Sequence, residues 1–185
     1  MNRFFSCLAL LVTFSACPSS DRCTPAPGAV GKACVAGSQT FAVRSAVAIE
    51  GQGFVGVILT SDALECAGAQ TRASPAKAKD KFAAGSSRLE LMVDLTEPRA
   101  DQGHRYAVTS TDKSSTKGTS AGYAVVPKDG AKASSRIAQT GWIQLDEVGE
   151  QSVRGSYDVS FDGEGSALRL AGAFEARYCD LWGGP

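Results

Sequence analysis

The chain has 185 residues, 19 basic and 19 acidic, with 20 glycines and six cysteines. That length suffices for one domain with a real core, and the balanced charge argues against a dedicated nucleic-acid binder, which carries a basic excess. Many short apolar runs split by Gly, Ser and Thr suit an all-β chain.

Met1-Asn2-Arg3 is a short positive start, and Phe4–Phe14 is apolar but too short to span a bilayer as a helix. Phe14-Ser15-Ala16-Cys17 follows. It resembles the lipobox of bacterial lipoproteins, with Phe14 where that family usually has an aliphatic residue. The resemblance implies a signal peptide over 1–16 and a lipid (palmitate) on Cys17. The competing reading is an ordinary secretory signal cut after Ala16, which would place bulky Phe14 where small residues are preferred. Pro18–Gly28 has no periodicity and reads as a tether over 17–28. A single domain is expected over 29–185. With Cys7 removed and Cys17 lipidated, Cys23, Cys34, Cys66 and Cys179 remain. An even number in an exported chain reads as two disulfide bonds. Of three connectivities we favour Cys23–Cys34 and Cys66–Cys179.

Phe41, Val43, Ser45, Val47 and Ile49 alternate with Ala42, Arg44, Ala46 and Ala48, a first strand. Phe54–Leu59 is continuously apolar, as a strand covered on both faces is. Ser74–Gly85 is the one helix signal, with an N-cap serine, Pro75 in the first turn and a terminal glycine. Its three lysines read as a solvated face. Leu89, Leu91, Val93 and Leu95 mark another strand. His104–Thr109 and Tyr123–Val126 look like the arms of a hairpin with a polar, exposed tip at Ser110–Ala121. Ile137–Val148 is a strand with Ile143 and Leu145 inward and Trp142 outward.

Gln151–Cys179 reads as a β-hairpin. Val153, Gly155, Tyr157, Val159 and Phe161 form one face, and Leu168, Leu170, Gly172, Phe174, Ala176 and Tyr178 the matching face. Closing the turn about Gly163-Glu164 sets Gly155 opposite Gly172 and Val153 opposite Phe174, with Asp158 meeting Arg169 outside. The facing glycines would leave a gap, resolved by a bend. In all, seven or eight strands and one short helix predict an all-β, antiparallel sandwich or partly closed barrel.

The chemistry is sparse. His104 is the only histidine, and no Gly-x-Ser-x-Gly motif accompanies it. Zinc spacing is absent. Glu90 and Asp94 share one strand face but lie about 13 Å apart, beyond glycosidase spacing. Asp158, Asp162 and Glu164 lack the calcium-loop pattern. No catalytic residue, metal or cofactor is expected. Trp142, with Gln144 and Asp146 on its side, is the one ligand candidate, although a lone outward Trp is usually covered.

The start at Phe14–Cys17 and the Gly-Ser-Tyr-Asp-Val-Ser-Phe and Gly-Ala-Phe-Glu-Ala-Arg-Tyr-Cys ending together resemble small β-rich envelope lipoproteins of delta-proteobacteria. The resemblance implies no activity. It implies lipid anchorage, and Pro18 after the cysteine implies the outer membrane. The expectation is a non-enzymatic envelope interaction or surface protein, with an envelope protein or glycan as partner and no nucleic acid. The alternative is a module binding glycans or small apolar ligands, and a hydrolase comes third.

Overall fold

A computed structural model describes residues 31–33, 35–37, 41–51, 53–63, 83–95, 103–108, 118–129, 131–161 and 168–178. The predicted signal peptide, lipid site, tether and all six cysteines lie outside these residues. The chain order is β1 (Lys32–Ala33), β2 (Ala36–Gly37), β3 (Ser45–Gly51), β4 (Phe54–Thr60), β5 (Ser87–Asp94), β6 (His104–Ala107), β7 (Ser120–Val125), β8 (Ser134–Ile137), β9 (Thr140–Val148), β10 (Ser152–Phe161) and β11 (Leu168–Tyr178). The all-β class holds. Eleven strands replace the seven or eight expected, and no helix occurs among the described residues. The predicted helix at Ser74–Gly85 lies outside them except for Ala83–Gly85. There Ser86 N–H donates to Ala83 O at 3.0 Å and Gly85 has φ +84°, a turn that leads into β5.

The strands form one curled sheet, a half-barrel, and not two stacked layers. Its order is β6-β9-β10-β11-β3-β4-β5-β7-β8, with β1 and β2 also on β11. All pairings are antiparallel except β11 with β3, where Arg177 and Tyr178 run beside Val47 and Ala48. β8 runs almost directly into β9. Ala138 N–H donates to Ala121 O at 2.9 Å on one side, and Gln139 N–H donates to Ser160 O at 2.8 Å on the other. One stretch of chain, 134–148, thereby serves both ends of the strand order.

That stretch also corrects the predicted hairpin of 104–109 with 123–126. β6 pairs with β9 (Tyr106 with Ile143) and β7 with β8 (Tyr123 with Arg136). The two arms are successive partners of one neighbour and do not pair with each other. Thr119 and Ala121, expected in an exposed tip, are buried.

The interior of the curl takes alternate side chains, as period-two patterning requires. Val55, Val57 and Leu59 of β4 meet Leu89, Leu91 and Val93 of β5 in one cluster with Tyr157, Phe161 and Leu170. An aromatic relay crosses it: Phe41 stacks on Tyr123 at 6.2 Å, and Tyr123 lies 6.1 Å from Phe161. β3 and β4 are buried on both faces, as the continuous run at Phe54–Leu59 predicts. On the side away from the interior, Val47, Ile58, Thr60 and Arg88 are buried too.

The β10–β11 register differs from the predicted one by two residues. Phe161 pairs with Leu168, Tyr157 with Gly172, Gly155 with Phe174 and Val153 with Ala176. A two-residue shift preserves which face each side chain occupies, so the predicted faces stand. The reason is size. Each glycine now sits opposite an aromatic residue, and no gap opens between facing glycines. A Cβ at Gly155 would lie 2.8 Å from Phe174 Cζ and 2.1 Å from Gln144 O of β9. β10 shifts register against β9 at Arg154/Gly155, so a bulge is present as well.

This packing makes a prediction. Gly155→Ala forces a backbone carbonyl and a core ring apart and destabilises the protein by about 1–3 kcal/mol, the usual cost of overpacking. Gly149→Ala, whose new Cβ would meet nothing nearer than 3.4 Å, changes stability by less than about 0.5 kcal/mol. Urea unfolding midpoints of the two variants check the difference.

Candidate functional site

Among the described residues, the outward face of β6, β9, β10 and β11 is open. Arg105, Asp146, Arg154 and Arg169 are exposed on it. Period two sets these side chains: Trp142 and Gln144 alternate with buried Ile143 and Leu145 along β9. The pairings lay out two rows. Ala107, Trp142, Asp158 and Ala171 are successive neighbours across the four strands, and so are Arg105 and Gln144 on β6 and β9.

Trp142 is half-buried. Its cover is the Arg105 side chain, whose guanidinium carbon lies 4.2 Å from the ring centroid. A cation over an indole face is attracted by the ring quadrupole, by about 0.5–1 kcal/mol at exposed sites. Arg105 is held in that pose. Its Nε–H donates to Gln144 Oε1 at 2.9 Å, and Gln144 Nε2 donates to Asp146 Oδ1 at 2.6 Å. Thus Trp142, Gln144 and Asp146 share a face as expected, and Gln144 and Asp146 act through Arg105. Sequence reasoning missed Arg105. Its register with Gln144 depends on a pairing between strands about 40 positions apart, which local periodicity does not encode.

The second charged feature is Asp158 with Arg169. Arg169 Nε donates to Asp158 Oδ1 at 2.7 Å, and its NH2 group donates to Oδ2 at 2.5 Å, a two-pronged pair. The partners sit diagonally, because Asp158 faces Ala171 and Arg169 faces Ser160. The guanidinium hydrogen bonds hold the Asp158 carboxyl below the usual carboxylate range.

The remaining candidates are engaged elsewhere. His104 packs edge-on against Tyr106 at 4.6 Å. Glu90 pairs with Arg88. Asp94 Oδ2 accepts the Gly118 N–H at 2.9 Å. Asp162, Glu164 and Lys77–Lys81 lie outside the described residues. Tyr157 is a core residue whose phenol burial pushes well above its ordinary range. Among the described residues, no three His, Cys, Asp or Glu side chains come together as a metal site would need, and no helix is long and apolar enough to cross a membrane.

The arrangement offers an aromatic anchor among three arginines, Arg105, Arg154 and Arg169, and three carboxylates, Asp146, Glu147 and Asp158, on a hydrogen-bonded sheet face. It can bind by stacking and by paired hydrogen bonds. No family model, curated protein or solved structure matches the chain.

The Asp158–Arg169 pair has a pH signature. Because the folded carboxyl titrates below its unfolded value, the stability it contributes is present above the ordinary carboxylate range. That contribution is lost as pH falls through the lower, folded value. Arg169→Ala returns the Asp158 titration toward higher pH. Carboxyl-carbon NMR of Asp158 in both proteins reads the shift, and an unchanged midpoint contradicts the assignment.

Proposed function

We propose that the protein is a non-enzymatic envelope lipoprotein. In this reading Cys17 carries the lipid, the outer membrane is the site of anchorage, and the β6-β9-β10-β11 face contacts an envelope partner. The observation that carries the interaction reading is Trp142 beneath Arg105 on an open sheet face. Tryptophan and arginine are the residue types most enriched where protein contacts concentrate their energy. A side chain held in place before binding loses little freedom on binding. The charges on this face come in opposite pairs, Arg105 beside Gln144–Asp146 and Arg169 with Asp158. Such pairing favours a specific protein surface over a simple polyanion.

A glycan is the second reading, favoured by the same indole. It competes with Arg105 for the ring, so a sugar would have to displace the guanidinium or use the opposite face. The acyl chains of a lipidated Cys17 would bury at about 0.8 kcal/mol per methylene, enough for two or three chains to anchor firmly.

Two experiments test the proposal. Cross-linking of the tagged full chain in intact cells, followed by mass spectrometry, recovers one dominant partner, and Trp142→Ala reduces its recovery about tenfold or more, the scale of a contact hot spot. Equal recovery with Trp142→Ala removes this face from the interaction, and saturable binding on a glycan array that Trp142→Ala abolishes selects the glycan reading. Separately, Cys17→Ala moves the protein from the membrane fraction to the soluble one. An unchanged distribution refutes lipid anchorage.

A further inference from the structure

Arg105 uses only part of its hydrogen-bonding capacity. A guanidinium carries its N–H donors in a planar fork and has no acceptor. The Nε–H goes to Gln144 Oε1 at 2.9 Å. Among the described residues, Nη1 and Nη2 donate to nothing. The neighbouring arginines are treated differently. Arg154 lies 3.4 Å from a Glu147 oxygen, and Arg169 is held in two prongs by Asp158. Arg105 receives an amide in place of a carboxylate. With Nε engaged, the Nη1–Nη2 end of the fork is the edge left to a ligand. The Trp142 indole N–H likewise has no acceptor among the described residues.

The acids of this face are turned to other tasks. Asp158, the neighbour of Trp142 on β10, commits both oxygens to Arg169. Asp146 accepts the Gln144 Nε2–H at 2.6 Å, and so steadies the amide that steadies Arg105. It stands four residues from Trp142, about 13 Å along β9. Beside the indole, the unused groups are therefore donors, and their complement is an anionic oxygen.

We propose that the Nη1–Nη2 edge of Arg105, seated over Trp142, is a binding site for a single carboxylate, presented by an aspartate or glutamate side chain of the partner protein. The partner as source rests on the contact reading above. A carboxylate fits the fork with two parallel N–H···O bonds, stronger than neutral ones. A phosphate monoester fits the fork too, but it carries close to two negative charges at neutral pH. With Asp146 and Asp158 on the same face, the second charge meets added repulsion. The fork is also set before the ligand arrives. The ring centroid 4.2 Å from the guanidinium carbon and the Gln144 bond restrain a long side chain, so little freedom is lost on binding. The rest of the half-buried indole offers apolar surface to the methylenes beside the carboxylate.

Trp142 reports on this site directly. The sequence has two tryptophans, so full-length protein carrying Trp182→Phe has Trp142 as its one indole. It is titrated at constant ionic strength with N-acetylglutamate α-methylamide, which carries one side-chain carboxylate, and with the neutral glutamine analogue. The carboxylate gives a saturable change in Trp142 fluorescence with a midpoint in the millimolar range, the scale of an isolated contact, and the amide gives none. Arg105→Lys keeps the charge, removes the fork and raises the midpoint about tenfold or more, the scale of a charge-assisted hydrogen bond. Gln144→Glu gives Arg105 a carboxylate of its own and raises the midpoint with Arg105 intact. The site is overturned by no saturable change up to about 0.1 M, by a midpoint that Arg105→Lys leaves unmoved, or by inorganic phosphate binding as tightly. Glucuronate binding about tenfold more tightly than the glutamate probe overturns the protein source and makes a sugar acid the ligand. Failure of the titration while Trp142→Ala still lowers partner recovery overturns the fork and leaves the contact face standing. A response lost in Arg105→Lys, with partner recovery indifferent to Trp142→Ala, supports the carboxylate site and removes the contact reading.

Discussion

A strand buried on one face must have its backbone groups hydrogen-bonded along both edges, because an unpaired buried amide or carbonyl costs as much as a lost hydrogen bond. β11 is the longest strand among the described residues, and this requirement organises the sheet around it. One edge is taken for ten successive residues by β10. The other is taken in pieces: β2 at Leu170 and Ala171, β1 at Phe174 and Glu175, and β3 at Arg177 and Tyr178. No single neighbour satisfies that edge. β1 and β2 run antiparallel to β11, and β3 then returns parallel to it. This is how two residues of parallel pairing enter an otherwise antiparallel sheet. The same constraint brings the start of the described chain onto its last strand.

Side-chain size sets the register inside that frame. Period two permits slips of two residues, since each slip keeps every side chain on its face. Among the permitted registers, the one adopted puts Phe174 over Gly155 and Tyr157 over Gly172. Setting glycine against glycine would leave a void that nothing fills, and interiors pack without such voids. Gly141 works in the same direction at the other edge of β10. Its φ is +137° and an added Cβ would lie 2.2 Å from Asp158 O. By Gln139 the chain has already passed from β7 to β10, and at Gly141, paired with Val159, a residue with no side chain allows the close approach.

These two constraints explain what was legible in the sequence. The faces of β5, β9, β10 and β11 follow from alternation, and alternation is local. So does the doubly covered strand at Phe54–Leu59. The hairpin register was not legible, because it depends on which large side chain meets which glycine across a turn. β1 and β2 were not legible either. Lys32-Ala33 and Ala36-Gly37 carry no strand pattern of their own and pair only because β11 offers an edge. The arms at 104–109 and 123–126 pattern like a hairpin, yet each is claimed by a different half of 134–148. The candidate site divides in the same way: Trp142 was visible from its alternation with Ile143 and Leu145, whereas Arg105 depended on long-range pairing.

The two outer regions of the sheet also differ for a physical reason. Over β3, β4 and β5 the outward residues include Val47, Ile58 and Thr60, which are fully or nearly fully buried. Over β9, β10 and β11 they are Gln144, Arg154, Asp158 and Arg169, each held by a partner on the same face or left to water. Charged side chains paired near the surface lose little on hydration, so that region can stay open without cost to the fold. A half-indole left in such a field is the exception, since its apolar ring gains from being covered. Arg105 supplies part of that cover from within the chain. A surface that would enclose the rest of the ring would complete the burial that the sheet leaves unfinished, which is why this face, and not the buried one across β3–β5, is the place to look for what the protein meets.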